Sequence, residues 1–271
     1  MVPACGVITL TSDFSLHDSY VGTMKGVILR IFPEARLVDI THHISPQDVL
    51  EASLVLESGY RYFPPGTVHL VVVDPGVGGA RRPILVAGEQ HYFVGPDNGT
   101  FTRVLDSDPQ ALVIDIQETR FLLPSISDTF HGRDIFSPVA AYLARGVAPE
   151  EFGPPLTQPR RLSLPVPRIW GDQIRGEVIH IDSFGNIVSN ISREQFEGAV
   201  GRRRFKIVIN GKTIDRLHRS YEEQERGLML ALFGSSNLLE LAVAEGRAER
   251  RVGAGKGDTV LVQIDEGDAE P

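Results

Sequence analysis

One cysteine in 271 residues, Cys5, excludes an intrachain disulfide and is consistent with a reducing compartment. No helix start or base lies beside it in sequence, so Cys5 reads as a structural thiol rather than a nucleophile. Long hydrophobic runs are missing as well. Nothing approaches an apolar 20-mer, so no membrane span is expected. The start MVPACGVITL lacks the basic region and apolar stretch of a signal peptide and reads as a first strand; a cytoplasmic location is the expectation. Positive charge is in short supply: 27 Lys and Arg face 35 Asp and Glu, for a net charge of −8. Residues 1–150 carry −7 of it and residues 151–271 only −1. An acidic first half disfavours a nucleic-acid surface, and Arg202, Arg203, Arg204 and Lys206 form too short a cluster to reverse that. Three catalytic signatures are absent: the glycine-rich phosphate loop with its Lys-Ser/Thr pair, the HExxH zinc pattern and the GxSxG elbow. His42 and His43 are adjacent and the other imidazoles lie in unrelated contexts, so no metal site is expected.

What is present is an ordinary core, 42% hydrophobic, and a strong order of elements. Residues 5–11 read as a strand. A helix from about Asp18 would bury Val21, Met24, Val27, Ile28 and Ile31 before Pro33 stops it, and 36–40 reads as the next strand. QDVLEASLVLESGYRYF then places Val49, Ala52, Leu56 and Tyr60 on one helical face, ahead of the VHLVVVD strand. ILVAG and HYFVG suggest a hairpin, ALVIDI a further strand, and 135–145 a helix with Pro138 in its first turn. This order predicts an α/β fold: an N-terminal, mostly parallel sheet with flanking helices over 1–153. A Pro-rich connector follows at 154–170. Over 171–271, GEVIHIDSFGNIVSNI, FKIVIN and TVLVQI, with few helix signals, predict a smaller C-terminal antiparallel β-domain. LMLALFGSS and LLELAVAEG are expected to form its closing hairpin.

Open α/β sheets bind ligands beyond the carboxyl ends of their strands, where Asp13 and Asp74 both stand. Asp13 suits a sugar diol, whose two hydroxyls one carboxylate can accept; capping the following helix suits it equally. Asp74 opens the turn DPGVG, with Arg81 or Arg82 as its partner or as solvated cations. His131 precedes Arg133 and Asp134 in FHGRDIF, where it could tune a water, cap its helix or satisfy loop carbonyls. GPDNG is a turn signature with Asn98-Gly99 at the left-handed position. In the second domain Asp182, Phe184 and Asn186 combine stacking with amide pairing, as an adenine requires; a β-turn with Phe184 in the core is the plainer alternative. Ser235, Ser236 and Asn237 form another polar turn, open to a ligand role or a hairpin role.

Taken in order, SDFSLHDSYVG, DITHHISPQDVLEA, VVVDPGVGGARR, VGPDNGTF, TFHGRDIFSPVAAYLA and IDSFGNIVSNI resemble the S-adenosyl-L-methionine hydroxide adenosyltransferases, relatives of the fluorinating and chlorinating enzymes. The likeness spans nearly the whole chain. It implies a homotrimer whose ligand lies between the N-terminal domain of one subunit and the C-terminal domain of its neighbour. It also implies an Asp-Arg-His set, here Asp74, Arg81 and His131, with Asp13 on the ribose. Asp182, Phe184, Asn186 and Ser236 would contact the rest of the substrate. The halogenating relatives lack that set. One stretch departs: in FGSSNLLELAVAEGRA, Asn237 replaces a common glycine and Glu-Gly-Arg an Asn-Gly-small pattern. The implied reaction is hydrolysis of S-adenosyl-L-methionine at C5′, giving adenosine and L-methionine with no cofactor. Another nucleoside-directed hydrolase and a non-enzymatic adenosine-ligand sensor are the alternatives.

Overall fold

The computed structural model describes residues 2–265, so the last part of the domain expected over 171–271 lies outside the described residues. Two compact units divide the chain, one ending at Ser163 and the other beginning at Leu164. The boundary falls inside the Pro-rich stretch. Its first part belongs to the first unit, where Leu156 N–H donates to the Val113 carbonyl and Arg160 N–H to Asp97.

In the first unit, β1 (Val7–Ser12), β2 (Arg36–Thr41), β3 (Val68–Val72), β4 (Pro83–Ala87), β5 (Tyr92–Pro96) and β6 (Leu112–Asp115) form one sheet in the order β2-β1-β3-β5-β4-β6. Only β4 runs against the others. The VHLVVV run explains the buried centre. Val68, Leu70 and Val72 face one layer of core, Val71 and Val73 the other, because alternate side chains leave a strand on opposite faces. Helix α1 (Tyr20–Ile31) lies on the first face, with Met24 and Ile28 buried; α2 (Val49–Gly59) covers the second with Ala52 and Leu56. Asp48 caps α2 by accepting the Glu51 N–H. Helix α3 (Thr102–Ser107) shares that face. The expected helix over 135–145 is really two pieces: a π-helical turn, Gly132–Phe136, runs into α4 (Ser137–Ala144) with Pro138 in the first turn. The chain passes from β1 through α1 to β2, then returns across β1 to β3. The ends of β1 and β3 therefore border a topological switch point, and Ser12 pairs with Val72 at its edge.

At the heart of this sheet His69 is fully buried; its Nδ1 meets Thr9 Oγ1 at 2.8 Å and its Nε2 meets His91 Nδ1 at 3.3 Å. Burial, and then the neighbouring His91, push the His69 pKa down to about 3, and burial lowers His91 too. The His69 ring stays neutral in the fold down toward that value, while the unfolded chain takes up a proton near 6.5. The contribution of His69 is thus complete above pH 6.5 and is lost as pH falls from there toward about 3, and the lowered His91 acts in the same direction. The urea midpoint is expected to drop between pH 7 and pH 5; a constant midpoint over that interval would contradict this.

In the second unit, β7 (Arg168–Trp170), β8 (Gln173–Ile181), β9 (Ile187–Ser192), β10 (Phe205–Ile209), β11 (Lys212–Ile214), β12 (Met229–Phe233), β13 (Leu238–Val243) and β14 (Thr259–Ile264) form an antiparallel sheet ordered β11-β10-β14-β8-β9-β13-β12, with β7 on β8. The hairpin expected from LMLALFGSS and LLELAVAEG is β12–β13. The unit has more helix than its sequence suggested: α5 (Arg193–Val200) and α6 (Ala248–Val252). The signal for α5 was legible, since Ser192 and Gln195 form a reciprocal capping box.

Candidate active site

Asp74 leaves β3 two residues after its last paired residue, and the DPGVG turn brings the chain back to it. Val77 N–H donates to the Asp74 carbonyl and Gly79 N–H to that of Gly76. Gly78 adopts φ +73°, and a Cβ there would lie 2.3 Å from the Asp128 carbonyl oxygen, so the turn and the 125–130 loop meet only through glycine. The returning Arg81 is buried. Its Nε donates to both oxygens of Asp74, at 2.9 and 3.0 Å, and its Nη2 donates to Oδ2 at 2.5 Å. The same Nη2 donates to His131 Nδ1 at 2.5 Å. The guanidinium also lies 5.2 Å from the Phe136 ring. Side-chain exposures of 4% for Arg81 and 6% for Asp74 make this a buried ion pair, so the fork geometry is shielded from solvent competition. Arg82, the other candidate partner, pairs with Asp97 instead.

His131 stands at the entrance to the π-helical turn, a distortion that favours functional sites. Burial, then the Arg81 charge, lower its pKa against the opposing pull of Asp74, Asp134 and Asp128, so the ring is neutral at neutral pH. Because Nδ1 accepts from Arg81, Nε2 carries the proton. Asp134 has a scaffolding role: fully buried, it accepts from Arg133 Nε at 2.6 Å and from the Ser127 N–H and hydroxyl at 2.8 Å each.

Sequence reasoning missed a support. Asn98 Nδ2 donates to the Val73 carbonyl at 2.8 Å, and Asn98 Oδ1 accepts from the Thr100 N–H and hydroxyl, so the GPDNG turn fixes the backbone just before Asp74. The turn signature was visible; its distant partner was not.

Asp13 lies across the switch point, one residue beyond β1. Its Oδ2 accepts the Gln47 N–H at 2.8 Å. It does not cap α1: the N-cap is Ser19, without a side-chain hydrogen bond.

The second unit gathers Asp182, Phe184 and Asn186 in the turn between β8 and β9. Asp182 Oδ1 accepts the N–H groups of Phe184 and Asn186, and Oδ2 accepts Asn186 Nδ2 at 2.9 Å. Phe184 is 73% exposed, so its ring is not in the core of this unit. Gly185 turns at φ +85°, and a Cβ there would lie 2.1 Å from Glu249 Oε2. The divergent Arg247 now has a place: it donates to the Ser183 carbonyl at 2.9 Å and to Glu249 Oε1 at 2.6 Å. Ser236 is not part of that cluster. Leu238 pairs with Ser192 and Leu241 with Ile187, so Ser236 sits at the opposite end of β9 from Asn186. Asn237 has φ +58° and Glu245 φ +51°, so both departures from the family pattern occupy left-handed positions, which asparagine tolerates better than glutamate.

Among the described residues, no group of three or more His, Cys, Asp or Glu side chains is placed to hold a metal ion, and no helix is long and apolar enough to cross a membrane.

Residues 8–153 match the SAM hydroxide adenosyltransferase N-terminal domain, and residues 176–261 match the corresponding C-terminal domain. An (R)-S-adenosyl-L-methionine hydrolase from Thermus thermophilus is 38% identical over 253 residues, covering 91% of this chain and 95% of its own. A fluorinase from an Actinoplanes species is 27% identical, covering 73% of this chain and 76% of its own. The crystal structure of an uncharacterized conserved protein from Thermotoga maritima matches with a TM-score of 0.88 at 35% identity, covering 95% of this chain and 99% of that one. With both domains matched and identity sustained over nearly the full length, the chain belongs to the SAM hydroxide adenosyltransferase family.

Proposed function

We propose that the chain is an enzyme that hydrolyses S-adenosyl-L-methionine to adenosine and L-methionine, with water attacking C5′ beside Asp74. The observation that carries the chemistry is the buried fork in which one guanidinium, Arg81, holds both Asp74 and His131 at a switch point. The sulfonium is already a good leaving group, so inline displacement at C5′ needs no acid at sulfur. The needed groups are a proton acceptor for water and a rigid frame to aim it. Asp74 Oδ1 takes a single bond from Arg81, which leaves it acceptor capacity for a water proton. Gly76 flanks that oxygen; even a Cβ there would come within 3.9 Å of it. An aspartate is a weak base, so the proton moves during displacement rather than before it. His131 offers its Nε2–H as a donor that orients the water. A relay through both ring nitrogens is disfavoured, because Nδ1 faces a guanidinium that does not give up its proton.

Asp13 serves the ribose diol in this reading. Asp182, Phe184, Asn186 and Ser236 serve the adenine and methionine ends. The solvent-facing ring of Phe184 supports a site completed by a neighbouring subunit, and a homotrimer is part of the proposal. The single cysteine supports a cytoplasmic location, which finding the chain outside the cytoplasm on cell fractionation would contradict. One purified preparation tests function and assembly together. Equimolar adenosine and methionine, with a trimer on sedimentation at the assay concentration, are expected. Free adenine would point to glycosidic cleavage, tight binding without turnover to a sensor, and a fully active monomer would exclude the shared site.

A further inference from the structure

His42 adjoins His43, yet its ring is buried and hydrogen-bonded at both nitrogens, to Ser12 and Asp39. We propose that His42 is a positioning residue for substrate: through Ser12 it holds the end of β1 so that the Asp13 carboxylate meets a vicinal diol. This rests on the reading of Asp13 as the ribose-binding acid.

Four side chains form one line of hydrogen bonds. Lys25 Nζ donates to Asp39 Oδ2 at 2.6 Å, and His42 Nε2 donates to Asp39 Oδ1 at 3.0 Å. With the ring proton on Nε2, Nδ1 accepts the Ser12 hydroxyl at 2.8 Å. Ser12 Oγ in turn accepts the Phe14 N–H at 3.3 Å. Ser12 is fully buried and His42 is 2% exposed, so these bonds meet little competition from water. Burial opposes the charge on Asp39, but the bonds from Lys25 and His42 outweigh it and hold the carboxyl below its ordinary range.

The order Ser–His–Asp is that of a nucleophile triad, yet Ser12 is closed off. It is buried, its hydroxyl proton is committed to His42 and its oxygen accepts from the backbone. The line ends instead on the two neighbours of Asp13. Backbone bonds complete the frame: Ser15 N–H donates to the His42 carbonyl at 2.7 Å, Ile44 N–H to that of Ser12 at 3.4 Å, and Gln47 N–H to Asp13 Oδ2. The loops following β1 and β2 are thereby tied to each other around Asp13. Because the Asp74–Arg81–His131 set shares no hydrogen bond with this line among the described residues, the line bears on substrate affinity and not on the displacement.

The test compares His42→Ala, His42→Asn and His42→Gln with Asp13→Asn, reading KM and kcat separately. His42→Ala is expected to raise KM about ten-fold with kcat within about two-fold, the loss of one or two buried hydrogen bonds. Asparagine places a polar atom where Nδ1 stood and restores the Ser12 partner, so it should recover most of the affinity. Glutamine reaches toward Asp39 but leaves the Ser12 hydroxyl proton without its acceptor, and should recover little. Asp39→Asn, at an exposed position, should raise KM about three-fold and replaces His42→Ala if that variant does not fold. An unchanged KM in these variants, a fall in kcat as large as the rise in KM, or better rescue by glutamine than by asparagine would overturn the inference. An unchanged KM in Asp13→Asn would instead overturn the ribose reading.

Discussion

Replacing Asp74 by Asn is expected to lower kcat by roughly two to four orders of magnitude, the range over which a positioned proton acceptor contributes, with a much smaller change in KM. The amide keeps the shape of the carboxylate but cannot take a proton from water. It also turns an N–H₂ donor toward a guanidinium that is itself only a donor, so part of the buried fork is lost along with the base. Asp74→Glu separates the two effects: the charge is kept and the oxygens move by one methylene, so turnover falls through geometry alone. Near-normal kcat in folded Asp74→Asn would remove Asp74 from the chemistry.

The second large effect is expected at Arg81. It hydrogen-bonds to both other members of the set, and its side chain is only 4% exposed. Truncation to alanine leaves the Asp74 charge buried without its partner, a change that typically costs about 3–5 kcal/mol. At about 2–4 °C of Tm per kcal/mol for a domain of this size, the melting temperature should fall on the order of 10 °C, with kcat falling as well. Arg81→Lys retains a charge but cannot span both oxygens of Asp74 and His131 Nδ1 at once. It should recover much of the stability and little of the activity. Thermal unfolding read beside steady-state rates checks both. Full activity in Arg81→Lys would show that the charge suffices and the fork does not matter.

Local chemistry explains what was legible beforehand. Pro33 ends α1, Asp48 starts α2, the Val-rich run makes β3 a central strand, and strand ends delivered Asp13 and Asp74 to one edge of the sheet. Each of those signals lies within a few residues of its effect. The Arg81–His131 contact spans 50 residues, Ser12–His42 30, and Asn98 to the Val73 carbonyl 25; no periodicity encodes such a pairing. The π-helical turn was hidden for another reason. GRDIF has an ordinary helical appearance, and nothing local in it marks the wider i→i+5 turn that spans Gly132–Phe136. Phe184 was ambiguous because an aromatic in a β-turn suits a core as well as a ligand face; its exposure takes it out of the core of this unit. The capping box of Ser192 and Gln195 is a local helix signal set among strand patterns, and it starts a helix of only eight residues.

The most direct test of the central claim follows the oxygen. Purified protein is incubated with S-adenosyl-L-methionine in oxygen-18 water, without added metal and with chloride or fluoride present in parallel samples, and both products are weighed by mass spectrometry. Attack of water at C5′ beside Asp74 places one solvent oxygen on the 5′ carbon of adenosine and none on methionine. A carboxylate at the nucleophile's position repels a compact anion, so no appreciable 5′-halogenated adenosine should form. Adenosine without solvent label, or a halogenated nucleoside in its place, would contradict the account.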